Sequence, residues 1–185
     1  MKGAAVLVID MQRGLLQGAR PAHALGEIVA GINRLTAAAR AAHAPVCFVQ
    51  HDGEPDDGDD IAPGTPGWEL HADLVRAPAD WSIRKRVSDA FQDTPLAAGL
   101  DRHGISHVIL CGYATQFCVD ATARRAALIG YRTTVVADLH TTCDWPHLSA
   151  AQIITHHNLT WKNCTYSGNG VVPRPLDDVL AMEFA

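Results

Sequence analysis

Three side chains that together could break a carbon–heteroatom bond stand at or near the ends of apolar runs in this sequence. Asp10 follows AAVLVI, Lys85 ends WSIRK, and Cys118 comes six residues after the run VILCG. A thiol attacks as its thiolate. Asp10 would take the thiol proton, and Lys85 would hold Asp10 charged and stabilise the thiolate. A helix whose first turn carries Cys118 would lower the thiol pKa further, because helix N-termini carry partial positive charge. Backbone N–H groups around Ala114 and Cys118 lie where an oxyanion would form. Nucleophile, base and orienting charge make a set for covalent catalysis. Each residue also has a plainer reading. A cysteine at a helix start is more often packing, a strand-end aspartate more often caps a turn, and Lys85 sits in RKR, a solvated basic patch. The combination carries the chemistry, not any one residue.

Such distant residues meet only if the intervening elements bring them to one edge. Residues 4–10 form a continuous apolar run, which reads as a strand buried on both faces. Leu25, Ile28, Val29, Ile32, Leu35 and Ala39 recur at spacings of three and four, giving a helix over 23–43 with one buried face. Further strands are expected at 46–51, 80–86, 106–112, 131–138 and, last and shortest, 163–168. Helices are expected at 68–75, 94–104, 115–129 and 147–159, the second with Thr94 as cap, Pro95 first and Gly104 as stop. Residues 52–67 are rich in Asp, Gly and Pro and read as loop. The alternation predicts an α/β fold, a parallel sheet with helices on both faces, as one domain over 1–185. Ligands of such sheets bind at the carboxyl ends of the strands, where Asp10, Lys85 and Cys118 fall.

The 185 residues are 48% hydrophobic and 19% charged, with a net charge of −5, which suits a soluble globule. That balance gives no reason to expect a nucleic-acid or anionic-membrane partner. No run reaches membrane-spanning length. The 5 cysteines (Cys47, Cys111, Cys118, Cys143 and Cys164) include no CxxC, so neither a disulfide framework nor a paired-cysteine zinc site is expected. A reduced, cytoplasmic protein is the natural expectation.

The segments VLVIDMQRGLL, SIRKRVSDAFQDTPL and LCGYATQFCVDATARRAALIGYRTTVVADLHTT occur in an order that resembles the isochorismatase-like cysteine hydrolases. The likeness runs from residue 4 to about 160. It implies a three-layer α/β/α, Rossmann-like, six-stranded parallel sheet of order 3-2-1-4-5-6. It further implies Asp10 as general base, Lys85 as third triad member and Cys118 as nucleophile, cleaving an amide, ureide or lactam C–N bond through a thioester. A cis peptide at Tyr113–Ala114 is implied, with the N–H groups of Ala114 and Cys118 as oxyanion hole. Trp68, Tyr113, Gln116, Phe117 and His51 are the expected pocket residues. His156, His157 and Asn158 are read as capping carbonyls at a helix end.

Nicotinamidases of this family carry a metal beside an Asp-x-His element; here the position reads Gln50-His51-Asp52-Gly53, so no metal or other cofactor is expected. His51 is read as a pocket or strand-end residue rather than half of a metal pair with Asp52. A small-molecule amide is the expected partner, and a homo-oligomer, dimer or tetramer, the expected assembly, with TTCDWPHL (141–148) as a surface that could join copies. The alternatives are an isochorismatase-type ether hydrolase, which would not need Cys118, and a non-catalytic binding member of the fold. A dinucleotide-binding module is disfavoured, since no GxGxxG follows the first strand.

Overall fold

A computed structural model describes residues 3–54, 60–166 and 168–185. The expected loop at 52–67 therefore lies in part, over 55–59, outside the described residues, as does residue 167 of the expected last strand. The strands are β1 (Gly3–Ile9), β2 (Val46–His51), β3 (Trp81–Lys85), β4 (Ile105–Tyr113), β5 (Arg132–Thr141), β6 (Thr165–Tyr166) and β7 (Asn169–Arg174). The helices are α1 (Arg13–Leu16), α2 (Leu25–Ala41), α3 (Leu96–Arg102), α4 (Asp120–Leu128), α5 (Ala150–Asn163) and α6 (Leu176–Glu183). A single π-type turn, Thr115–Val119, joins β4 to α4.

The sheet order is β3-β2-β1-β4-β5-β7-β6, parallel except for the short β6. β1 lies inside the sheet between β2 and β4, and its residues alternate between the two layers. Ala5, Leu7 and Ile9 pack with Leu96, Leu100, Ala123, Ala127 and Trp161, on the side of α3, α4 and α5. Val6 and Val8 pack with Ile28, Ile32, Leu35 and Val179, on the side of α2 and α6. Burial on both faces explains why this strand reads as an unbroken apolar run. The structure is thus the expected three-layer α/β/α fold, with seven strands instead of six.

The extra strand corrects the reading of the C-terminus. The stretch expected to close the sheet supplies only β6, an antiparallel two-residue stub; β7 takes the place beside β5. Pro173 hid it, because proline cannot donate to a ladder. It is tolerated where β7 has no long neighbour on its outer side, opposite Val135 on the inner.

The expected helix at 68–75 is absent. Its backbone groups are used elsewhere: Glu69 O accepts from Arg13 N at 2.8 Å and His71 N donates to Met11 O at 2.8 Å. Leu70 instead bridges antiparallel to Gln12. The helix expected over 115–129 begins one π-turn late, with Val119 N–H donating to Ala114 O five residues back, at 3.2 Å. Helix α5 starts at a capping box in which Ser149 and Gln152 satisfy each other's backbone N–H groups. The short α1 and the C-terminal α6 had not been anticipated.

At the carboxyl edge, Gly112 allows β4 to approach β1. Its φ is +119°, and a Cβ there would stand 2.2 Å from Ile9 O. Gly112→Ala is expected to destabilise by about 2 kcal/mol or more, since backbone must move and left-handed strain is added. The urea midpoint at unchanged m-value measures this.

Candidate active site

The strand order explains why three residues so distant in sequence meet. Asp10 follows the end of β1, and His51 and Lys85 end β2 and β3 in register with one another. Lys85 lies two strands from β1, roughly 10 Å away at ordinary strand spacing. A long unbranched stem is therefore needed to bring its ammonium back to Asp10. Cys118 comes from the other side, on the π-turn after β4, which pairs directly with β1.

The Lys85 ammonium is the hub. Nζ lies 2.7 Å from Asp10 Oδ2, 3.2 Å from Cys118 Sγ and 3.1 Å from His51 Nδ1. Lys85 is 2% and Asp10 1% exposed, so each charge depends on the other for compensation. An ammonium only donates, so His51 presents the Nδ1 lone pair to it. Asp10 has a φ of 47°, a left-handed conformation that Asp and Asn tolerate better than most residues. The Tyr113–Ala114 peptide bond is cis.

The electrostatics differ from the expectation of a lowered thiol pKa. Burial pushes the Cys118 thiol up, Asp10 pushes it further, and Lys85 opposes both without overcoming them, leaving it at about 12. Cys118 lies before α4, not on its first turn, so the helix terminus is one step removed. For Lys85, burial acts to lower the pKa, but Asp10 and then Cys118 outweigh it and the net shift is upward. The resting site is thus a carboxylate–ammonium pair beside a protonated thiol.

The shift has a consequence for stability. The folded thiol holds its proton up to about 12, whereas an ordinary one loses it near 9.0. Between those values the unfolded state binds fewer protons, so stability falls as pH rises from about 9. Cys118→Ala removes this contribution, and its urea midpoint is expected to decline less than the parent's between about pH 8 and about pH 10.5.

Cys118 opens onto a cavity of about 200 Å³ lined by Asp10, Leu15, His51, Ile61, Ser88, Tyr113, Ala114 and Phe117. Leu15, Tyr113 and Phe117 also line a wider cleft of about 590 Å³, walled by Arg13, Arg20 and Trp145. Arg20 stacks on Trp145 at 4.3 Å, and Phe117 meets Trp145 edge-on.

Of the expected pocket residues, His51, Tyr113 and Phe117 line the thiol cavity; Trp68 and Gln116 do not. Trp68 donates its indole N–H to Asp52 Oδ1 at 2.9 Å, and its carbonyl accepts from Gln12 and Gln50. Gln116 faces a separate apolar pocket of about 380 Å³, shared with Phe117, Trp145, His156 and His157. Within TTCDWPHL, Thr141, Thr142 and Cys143 are buried, which leaves less surface there than the sequence suggested. His157 Nδ1 lies 2.9 Å from Ile153 O one turn back, whereas Asn158 turns inward to His140.

A metal does not fit the residues present. Asp52 is committed to Arg84, at 2.8 Å, and to Trp68. Asp10, His51 and Cys118 do bring ligand atoms within 4.8 Å of one another, but the Lys85 ammonium lies against all three.

Sequence reasoning missed Gln12. This fully buried amide donates to His51 O at 2.9 Å and accepts from His51 N at 2.7 Å, fixing the end of β2. A glutamine two residues past Asp10, flanked by Met11 and the apolar strand, was the available signal. His140 was missed for a different reason: nothing local distinguishes a buried histidine near the end of a strand.

Known proteins bear on this geometry. Residues 4–159 match the isochorismatase domain family. The chain is 39% identical over 142 residues to streptothricin hydrolase of Streptomyces noursei, covering 77% of this chain and 51% of that protein. It thus spans about half the length of that relative. It is 33% identical over 144 residues to nicotinamidase 3 of Arabidopsis thaliana, covering 71% and 69% of the two chains. A crystal structure of an isochorismatase family protein superposes with a TM-score of 0.83 at 33% identity, covering 94% of this chain and 99% of that one. With the family match spanning most of its length and the fold superposing on that structure, the chain belongs to the isochorismatase family.

Proposed function

We propose that this chain is a cysteine hydrolase, one domain over its 185 residues, that cleaves a C–N bond of a small amide, ureide or lactam. The observation that carries the reading is the contact of one buried ammonium, Lys85, with a carboxylate at 2.7 Å and a thiol at 3.2 Å, both of which line a cavity. The named relatives include a nicotinamidase and a streptothricin hydrolase, which supports C–N rather than ether cleavage.

The raised thiol pKa shapes the mechanism. No standing thiolate waits in the site; the proton leaves as the bond forms. Cys118 Sγ attacks the carbonyl carbon, its proton passes to Asp10, and the carbonyl electron pair moves onto oxygen. The N–H groups of Ala114 and Cys118 receive that oxyanion. Collapse expels the amine, which takes the proton from Asp10 and leaves a thioester. Water then attacks, giving its proton to Asp10; the acid departs and the thiol is restored. Lys85 keeps Asp10 ionised before attack and offsets charge on sulfur. The cleft beyond Phe117 would hold the rest of the substrate.

A panel of small amides, ureides and lactams, followed by ammonia or amine release, tests this together with Cys118→Ala. At least one substrate should be turned over, with activity lost in the variant and a covalent acyl adduct on Cys118 by intact mass. Full activity in Cys118→Ala would support ether-type hydrolysis instead. No turnover together with tight binding of panel members would support a binding protein. Arg20→Ala is expected to raise KM several-fold, on the order of 1 kcal/mol, with kcat little changed, because Arg20 lines the outer cleft and not the thiol cavity. The reading expects a cytoplasmic homo-oligomer, and a monomeric mass by light scattering would remove the oligomer.

A further inference from the structure

The turn that carries Cys118 is held at both ends from α5. At its start, Thr115 Oγ1 lies 2.9 Å from His140 Nδ1, and His140 Nε2 lies 3.1 Å from Asn158 Oδ1. Asn158 Nδ2 donates to Ala137 O at 3.0 Å. With a neutral imidazole, only one arrangement of protons satisfies this chain. A backbone carbonyl only accepts, so Asn158 must turn its NH2 toward Ala137 and its oxygen toward His140. That oxygen also only accepts, so Nε2 of His140 carries the hydrogen. Nδ1 is left as a lone pair and takes the hydroxyl proton of Thr115.

Just past the other end of the turn, Asp120 Oδ1 accepts from Trp161 Nε1 at 2.6 Å. Asn158 and Trp161 are three apart on α5 and therefore share a face. The His140 ring lies between them, edge-on to Trp161 at 5.0 Å. Thr115, His140 and Trp161 are all buried, and none of the four lines the thiol cavity. Burial pushes the His140 imidazole down to about 4, so it stays neutral and keeps this single tautomer through the neutral range.

We propose that His140, Asn158 and Trp161 are positioning residues that clamp the Thr115–Val119 turn at both ends and so fix Cys118 against Asp10 and Lys85. This rests on the reading of Cys118 as nucleophile. A network that merely satisfied buried polar atoms would affect stability alone. A clamp also affects reactivity, because small displacements of a reacting atom are costly; roughly 10²-fold in rate is reached for about 1 Å.

The test compares His140→Phe, Thr115→Val and the double variant. His140→Phe keeps a ring against Trp161, and Thr115→Val keeps the side-chain shape. Two readouts are taken: turnover of whichever panel amide the parent hydrolyses, and the rate of Cys118 alkylation by iodoacetamide. Each single variant should lower kcat by ~10²-fold with KM within about threefold. Alkylation should be roughly fivefold faster, as the freed turn exposes the thiol. The double variant should lose no more than either single one, because both break the same link. Thr115→Ser should recover most of what Thr115→Val loses, and Asn158→Leu stands in if His140→Phe does not fold. Rates within about twofold of the parent, whatever the change in melting temperature, would overturn the clamp, as would losses that multiply in the double variant. Cys118→Ala separates the two claims: if it retains turnover the nucleophile assignment fails, while the alkylation rates of the other variants still judge the clamp.

Discussion

Asp10→Asn is expected to reduce turnover by ~10³-fold while making Cys118 easier to alkylate. The two effects have one origin. Asp10 is the proton acceptor in the proposed reaction, and an amide cannot take that proton. Yet in the resting protein Asp10 is, after burial, the largest influence raising the thiol pKa, and Lys85 acts against it. Removing the carboxylate charge leaves the buried Lys85 ammonium, 3.2 Å from Sγ, with the thiolate as its remaining anionic partner. The thiolate fraction should rise, and iodoacetamide labelling near pH 8 should be about three- to fourfold faster for each unit the pKa falls, the tenfold gain in thiolate being partly offset by its lower nucleophilicity. Asn is the appropriate replacement because it accepts the left-handed backbone at this position, where φ is 47°. Labelling rates across pH, located by peptide mass, decide the matter. Slower labelling than the parent would mean that Asp10 promotes a standing thiolate, and the concerted proton transfer argued above would be wrong.

Lys85→Met should cost about 3–5 kcal/mol of stability and abolish turnover. Methionine reproduces the length of the lysine stem, so packing is nearly kept while the charge is lost. Asp10, 1% exposed and 2.7 Å from the ammonium in the parent, is then a buried carboxylate without its cation. Lys85 also bonds His51 Nδ1 at 3.1 Å, so the end of β2 loses a partner as well. Urea denaturation measures the cost. Asp10→Asn/Lys85→Met should recover much of it, because removing both charges leaves no orphan. A single variant within about 1 kcal/mol of the parent would show that something other than Lys85 compensates Asp10.

That Asp10, Lys85 and Cys118 come together in the candidate site could be read from residue types and places. Asp10 and Lys85 were marked by carboxylate and ammonium at the ends of apolar runs, and Cys118 by following a strand and a glycine. The strand ends are converging points in any parallel sheet of this kind. What could not be read was how the charges balance. Reasoning from strand ends places Lys85 and a helix N-terminus beside Cys118 and suggests a lowered thiol pKa. Only the tertiary structure reveals that Asp10 is close enough, and the site buried enough, to reverse the direction. Trp68 was misjudged for a similar reason. It sits in a loop beside the pocket, but its indole faces Asp52, and that orientation is set by Arg84 on β3, 16 residues along the chain.

The sequence by itself determined the elements whose signal is local. These are the doubly buried β1, β2, β4 and β5, the amphipathic α2, and the stop glycines, each specified by side-chain period or backbone freedom over a few residues. It also determined the inventory of reactive groups. The tertiary structure alone decided what depends on partners far along the chain. It gave β7 a place despite Pro173, turned 68–75 into a bridge with Gln12, and brought Thr115, His140 and Asn158 into one proton-ordered chain. Hydrogen bonds of buried polar groups must be satisfied somewhere, but a linear sequence does not say where. That choice is made when β5 and α5 pack behind the turn that carries Cys118.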